Sequence, residues 1–202
     1  ETDPRRAIAA IASLARVSGR DEYHTQPGTQ PNRDKALQNR MFATLDRIDW
    51  NQLTYQDKLD LTRAYQLVMI RLGKPDAAAT ARLIALFDPK FPSNQQELTR
   101  ELGELLVGLQ APSVPAKMLA LIKNAPGTPF YGIQEWINPQ QRIRQDRGEV
   151  TGPNLGVTQA GIARQDDQIF YAQLLRNQTA GWTPATRRDY MAYFTTEPAN
   201  YN

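Results

Sequence analysis

Apolar residues recur at three- and four-residue spacing through most of this chain, and Gly- and Pro-marked breaks interrupt them at regular intervals. That spacing predicts amphipathic helices. Residues 61–87, LTRAYQLVMIRLGKPDAAATARLIALF, read as a striped helix, a break at Gly73 to Pro75, and a second striped helix. Residues 98–122, LTRELGELLVGLQAPSVPAKMLALI, repeat the plan around Pro112. A helix pair of this kind cannot bury its apolar face alone, so neighbouring pairs stack. The predicted fold class is all-α: an α-solenoid of about four antiparallel helix pairs, forming a single domain over residues 1–202 with one long irregular insertion.

The individual elements follow from caps and stripes. A first helix is predicted from Pro4 to about Val17, capped by Asp3, with Ile8, Ile11, Ala12 and Ala15 inward and Gly19 at its end. A polar loop over 20–33 leads to a second helix over about 34–48, with Leu37, Met41, Leu45 and Ile48 on one face. Thr54 and Asp57 have capping-box spacing, with Asp in place of Glu. They open a helix to about Leu72 that carries Leu61, Ala64, Tyr65, Val68 and Leu72. Pro75 is expected to start the return helix, with Ala77, Ala81, Ile84 and Ala85 inward, and Pro89 and Pro92 to stop it. Ser93 and Gln96 make a second capping-box pair before Leu98, Leu102, Leu105 and Leu109. Pro112 opens the partner helix with Val114, Met118 and Leu121. Thr54 and Ser93 stand 39 residues apart, close to the period of roughly 40 residues seen in HEAT-like helix pairs.

Residues 124–164 break this rhythm. They hold six of the chain's twelve Gly and four of its fourteen Pro, and loops of that length inside a domain are functional or disordered. Helical patterning resumes near Gln165, with Ile169, Ala172 and Leu175 inward. Gly181 ends that helix, Thr183 caps the next, Pro184 sits in its first turn, and Tyr190, Met191 and Phe194 form the last stripe.

Composition narrows the function classes by subtraction. With no cysteine, disulfides, thiolate metal sites, iron–sulfur clusters, covalent c-type haem attachment and a Cys nucleophile are all excluded, although the redox compartment is not fixed. A net charge of +3 is too small to point to nucleic acid. No run reaches the roughly 18 apolar residues that span a bilayer. The chain begins at Glu1 with neither Met nor a signal peptide, which reads as a processed product or an excised segment.

The run DQIFYAQLLRNQTAGWTPATRRDYMAYF, residues 167–194, resembles a segment of large secreted bacterial proteins that carry HEAT repeats, often with c-type cytochrome and dehydrogenase-like propeller modules. The matching positions are Ile169, Tyr171, Ala172, Leu175 and Arg176, then Gly181-Trp182-Thr183-Pro184, then Arg187, Arg188, Tyr190, Tyr193 and Phe194. Residues 101–122 are similar to that family's penultimate repeat, and residues 54–122 match loosely. The resemblance implies an extracytoplasmic α-solenoid (periplasmic or secreted) working beside redox domains. It does not carry over haem chemistry, which needs two Cys and a His. The segment 124–164 departs from the family pattern, where a short linker is expected.

Candidate chemistry is sparse. Gly156 to Gly161 has P-loop glycine spacing, but Ile162 and Ala163 stand where Lys and a hydroxyl residue would meet phosphate and magnesium. His24 is the only histidine and lies in a polar loop, where a solvated side chain is the simple reading. Glu97, Glu101 and Glu104 share a helix face and read as a solvated edge, with Arg100 able to pair with Glu104. Asp166 and Asp167 complement a helix dipole. Trp182 reads as a wedge between two helices, with a ligand platform as the alternative. Arg187 and Arg188 are expected to form salt bridges to neighbouring repeats or to a downstream domain. The insertion draws the functional expectation: Phe130, Tyr131 and Trp136 beside Arg142, Arg144 and Arg147 have the residue types of interface hot spots. The competing readings are a loop folded over its own solenoid and single-stranded nucleic acid stacked on the aromatics.

The function expected from the sequence is therefore a non-catalytic HEAT-like scaffold or docking module for protein–protein or interdomain contacts, with no cofactor and no metal. It would serve as an accessory part of an extracytoplasmic redox complex, its partner another protein or adjacent domains of a larger polypeptide. The alternative is a nucleic-acid-binding HEAT-like protein.

Overall fold

A computed structural model of the protein describes residues 3–21, 29, 31–124 and 159–195, with the backbone alone over 159–166. The described residues are all helical: eight α-helices, two short 3-10 turns and no strand. The chain divides into two compact units, Glu1–Ala111 and Pro112–Asn202.

The first unit holds α1 (Pro4–Ser18), α2 (Lys35–Leu45), α3 (Tyr55–Leu72), α4 (Ala77–Phe87) and α5 (Gln96–Gly108), with 3-10 turns at Trp50–Gln52 and Asp88–Lys90. Its organiser is α3, which packs against α1, α2 and α5. The predicted capping box forms: the Thr54 hydroxyl accepts from Asp57 N at 3.3 Å while Thr54 N donates to the Asp57 carboxylate at 3.3 Å. Eight α3 side chains are buried, including the whole predicted stripe and, outside it, Asp57, Leu59 and Thr62. Thr62 is tolerated because its hydroxyl donates back to Lys58 O at 2.8 Å.

An aromatic cluster centres on Tyr65 of α3. Its ring stacks on Phe42 of α2 at 5.8 Å and meets Phe87 of α4 edge-on at 5.0 Å. The buried hydroxyl donates to Asp46 at 2.6 Å, just beyond α2, and Arg82 of α4 donates to the other oxygen of the same carboxylate. One side chain thus ties three helices, and burial, reinforced by Asp46, pushes its phenol well above the usual range.

Helix ends explain the breaks. Gly19 follows α1 where an added Cβ would lie 2.4 Å from Arg71 Cβ. That closeness lets Arg20 N donate to Arg71 O at 2.9 Å while the Arg71 guanidinium donates to Arg20 O at 3.0 Å, clamping the ends of α1 and α3. Gly73 closes α3 at φ +92°, and its carbonyl accepts from the fully buried Gln38 amide. After α5, Ala111 N donates to Leu106 O and Gln110 N to Val107 O, with Gln110 at φ 58°. This is a Schellman stop carrying Gln where Gly is usual.

Several local expectations shift. On α4 the buried residues are Ala79, Leu83 and Phe87, whereas Ala77, Ala81 and Ala85 are exposed and Ile84 is half-buried. The segment AAATARLIALF is apolar nearly all round, so periodicity selects no face; Phe87 sets it by joining the Tyr65 cluster. Asp76, not Pro75, stands at the N-cap and accepts from Ala79 N at 2.8 Å. The Ser93–Gln96 capping box does not form. Helix α5 starts at Gln96 after an uncapped Gln95, while the Ser93 hydroxyl accepts from Gln95 N and Ser93 N donates to the Thr99 hydroxyl. Helix α2 ends at Leu45, three residues early, where the chain turns toward Trp50.

The second unit holds α6 (Val114–Asn124), α7 (Gln159–Leu175) and α8 (Pro184–Thr195), with α6 packed on both others. Helix α7 begins six residues before the expected Gln165, inside the segment assigned to the insertion, and ends at Leu175 rather than Gly181. Gln168 of α7 is buried and donates to Ile122 O at 2.9 Å. Gly181 takes φ +78°, and an added Cβ there would lie 1.9 Å from Pro112 O. Only glycine meets both demands. Thr183 caps α8 by accepting from Thr186 N at 3.1 Å, with Pro184 in the first turn as predicted.

Candidate interaction surface

The side chains that bury α1 against α3 leave an open groove of about 770 Å³ on the first unit. Helix α1 lines it with Arg5, Ile8, Ala9, Ala12 and Arg16; helix α3 adds Asp60, Arg63, Ala64, Leu67 and Ile70. The floor is apolar. Ile8 and Ala64 are buried, the methyls of Ala9 and Ala12 leave depth, and Ile70 stands 67% exposed at one end. Aliphatic side chains in such a position mark contact surfaces when they are contiguous.

Most charges around this floor are committed to one another. Arg5 reaches Asp57 at 2.8 Å. The Thr54 hydroxyl first and the Arg5 guanidinium second hold the Asp57 carboxyl below the usual carboxylate range, against the opposing effect of burial. Arg63 spans to α5, bonding Glu101 at 2.7 Å and Glu97 at 2.9 Å. Asp60 accepts from Gln56 at 3.0 Å. Arg16 is exposed and forms no ion pair among the described residues. The groove is thus a mainly apolar strip between ion pairs, edged by Arg16. It offers shape and apolar area; its polar groups already hold one another.

The carboxylate row of α5 is a largely solvated edge, with Glu97 and Glu104 exposed and Glu101 half-buried. Glu97 and Glu101 turn to Arg63, and Glu97 also accepts from the Tyr55 hydroxyl at 3.2 Å. Glu104 is exposed as a residue, yet partial burial of its carboxyl, and next the Glu101 charge, raises that carboxyl above the ordinary value. Among the described residues no group of three or more His, Asp or Glu side chains stands close enough to hold a metal ion, and no helix there is long and apolar enough to cross a membrane.

A second concavity of about 520 Å³ lies on the other unit, lined by Arg176, Trp182, Arg187, Tyr190 and Met191 among others. Trp182 sits there as the expected wedge: its indole N–H donates to Gln178 O at 2.8 Å and its ring lies 5.3 Å from Tyr190. The Tyr190 hydroxyl donates to Ala172 O at 2.9 Å, fixing α8 on α7. Arg187 and Arg188 are exposed and form no ion pair with a neighbouring helix among the described residues.

The residues expected to carry partner binding, Phe130, Tyr131, Trp136, Arg142, Arg144 and Arg147, lie outside the described residues, as do His24 and Gly156. Gln159 to Gly161 belong to α7. The α1–α3 groove was not singled out by periodicity, because its floor uses Ala9, Leu67 and Ile70, which lie off the main stripes. The available signal was Ile70, an aliphatic residue out of phase with the buried face of α3. The chain matches no protein-family model, no curated protein and no solved structure.

Proposed function

We propose that this chain is a non-catalytic helical scaffold that docks other polypeptides. Its helix pairs stack as a HEAT-like α-solenoid, and the α1–α3 groove receives an amphipathic helix from a protein partner or from an adjacent domain of a larger polypeptide. The observation that supports this most is the groove itself: an apolar floor about as wide as the Ala9–Ala12 face, flanked by charges that already pair with one another. A helix laid in such a groove anchors aliphatic side chains at three- and four-residue spacing. Arg16 favours an occupant with an acidic residue at the matching end. The aromatic and basic residues from Phe130 to Arg147 supply a further contact. An extracytoplasmic setting beside redox modules follows from the resemblance of residues 167–194 alone.

Photo-crosslinking tests the reading. A photoreactive residue at Ile70 is expected to trap one discrete adduct in cells, and Ala9→Arg with Ala12→Arg is expected to abolish it. The same residue placed at exposed Arg40 serves as the control. An adduct pattern identical at both positions, or one indifferent to the arginines, rules the groove out as the docking surface.

A further inference from the structure

The 3-10 turn Trp50–Gln52 presents an indole that the first unit uses in two ways. One edge packs on Phe87 at 6.0 Å and 79°, joining the aromatic core. The rest of the ring, half-buried, lines a pocket of about 390 Å³ with Tyr55, Lys58, Lys90, Ser93 and Asn94. Two ammonium groups converge on that ring. Lys58 Nζ, from α3, lies 5.6 Å from its centroid, and Lys90 Nζ, from the turn after α4, lies 5.5 Å away.

Neither ammonium forms an ion pair among the described residues. Lys90 donates only to the neutral Leu86 carbonyl. Carboxylates near them in sequence, or lining the adjoining helix, have partners of their own. Asp49 caps the Trp50 turn by accepting from Asn51 N at 2.9 Å. Glu97 takes the Tyr55 hydroxyl and the Arg63 guanidinium, and Asp88 has a bonding partner of its own. Elsewhere on this unit the cations Arg5, Arg63, Arg71 and Arg82 each reach a carboxylate. Two like charges sharing one ring, in a concave site, with no anion between them, form a focus of positive potential. Burial opposes this by lowering the Lys90 pKa, a penalty on its charged form that an arriving anion would offset.

We infer that the Trp50–Lys58–Lys90 pocket binds a divalent oxyanion of the phosphate class. Two point-charge ammonium donors match its two charges, and lysine suits tetrahedral oxyanions as a point charge. Ser93 and Asn94 bring a hydroxyl and an amide to the rim. This site stands apart from the α1–α3 groove and does not depend on the docking reading. The plain alternative is that two lysine stems merely cover an aromatic ring while their charges stay in water. The two accounts differ in their response to anions.

The experiment uses the full chain and inorganic phosphate, with chloride at matched ionic strength. The readout is the Trp50 indole N–H resonance, assigned with Trp50→Phe. Phosphate is expected to shift it along a saturable curve in the millimolar range, and chloride to leave it unmoved. Lys58→Gln with Lys90→Gln is expected to weaken the response at least ten-fold while circular dichroism stays unchanged. If that double variant unfolds, the comparison of phosphate with chloride on the unaltered chain decides. A response that chloride reproduces, one that stays linear without saturating, or one that the folded double variant retains overturns the site.

Discussion

Helices α3 and α8 carry similar-looking stripes and meet opposite fates. Helix α3 buries eight side chains, because α1, α2 and α5 surround it. Helix α8 buries none. Its stripe residues Met191 and Phe194 stay 61% and 48% exposed, and Tyr190 is half-buried. What holds α8 is a set of directed contacts: the Tyr190 hydroxyl on Ala172 O, Lys123 on Asp189 at 2.7 Å, and the Trp182 ring against Tyr190. An apolar stripe therefore reports the capacity for burial, and whether that capacity is used depends on how many neighbours the element has. The half-exposed aromatic ladder Tyr190–Phe194–Tyr193 is the mark of a helix with few among the described residues.

The comparison is sharpest at Tyr65 and Phe194. Tyr65→Ala empties the aromatic cluster and leaves Asp46 and Arg82 without their third partner, so a loss of about 3–5 kcal/mol is expected. Phe194→Ala removes a ring that is largely in water and is expected to cost well under about 1 kcal/mol. Urea denaturation of the two variants measures the gap; equal losses would mean that α8 is covered in solution and the contrast is void. The next largest effect tests how a sparsely buried helix is nonetheless placed. Gly181→Ala combines a positive φ with a Cβ 1.9 Å from Pro112 O and is expected to cost about 2 kcal/mol or more. An unchanged melting temperature would show that the approach to α8 is not fixed by that glycine.

The same difference in enclosure governs what the sequence made legible. Around α3 nearly everything was readable, because cap, stripe and stop all pointed one way: Thr54 and Asp57, then Leu61 to Leu72, then Gly73. On α4 the helix was legible and its facing was not, since a segment rich in Ala, Leu and Ile has no polar side to orient it; Phe87 decided the matter through the Tyr65 ring of α3. Ser93 looked like a cap, but Thr99 competed for its backbone and moved the start of α5 to Gln96. The groove between α1 and α3 was only half legible, because Ile8, Ala12 and Ala64 lie on the predicted stripes while Ala9, Leu67 and Ile70, which complete its floor, lie off them. The Trp50 pocket escaped for a related reason. Its lysines come from α3 and from the turn after α4, 32 positions apart in the chain, and spacing along a sequence does not show that two side chains share a ring.

A smaller effect concerns the cap that anchors α3. Thr54→Ala removes the hydroxyl that serves both Asp57 N and the Asp57 carboxylate, with an expected loss of about 1 kcal/mol. The pH dependence has a definite sign. Asp57 has a lowered pKa in the folded chain, so its contribution is complete above the ordinary carboxylate range and is lost as pH falls through about 4 and below. Asp57→Asn is expected to flatten the stability curve between pH 5 and pH 2, approximately. A variant whose acid limb runs parallel to that of the unaltered chain would place the carboxylate's stabilising partners elsewhere.

The smallest effect returns to α8. Lys123 and Asp189 are close in distance, but their side chains are 60% and 43% exposed. An exposed pair of that kind contributes between about 0 and 1 kcal/mol and is screened by salt. Lys123→Ala is therefore expected to lower stability by about 0.5 kcal/mol or less at low ionic strength and by nothing measurable in high salt. The value of the measurement lies in what it isolates. Helix α8 has three directed ties and no buried side chain, so if this one matters little, the Tyr190 hydroxyl and the Trp182 wedge must hold it. A salt-independent loss comparable to that of Gly181→Ala would instead show that the ion pair is shielded from water, and that α8 is far less exposed than its Met191 and Phe194 indicate.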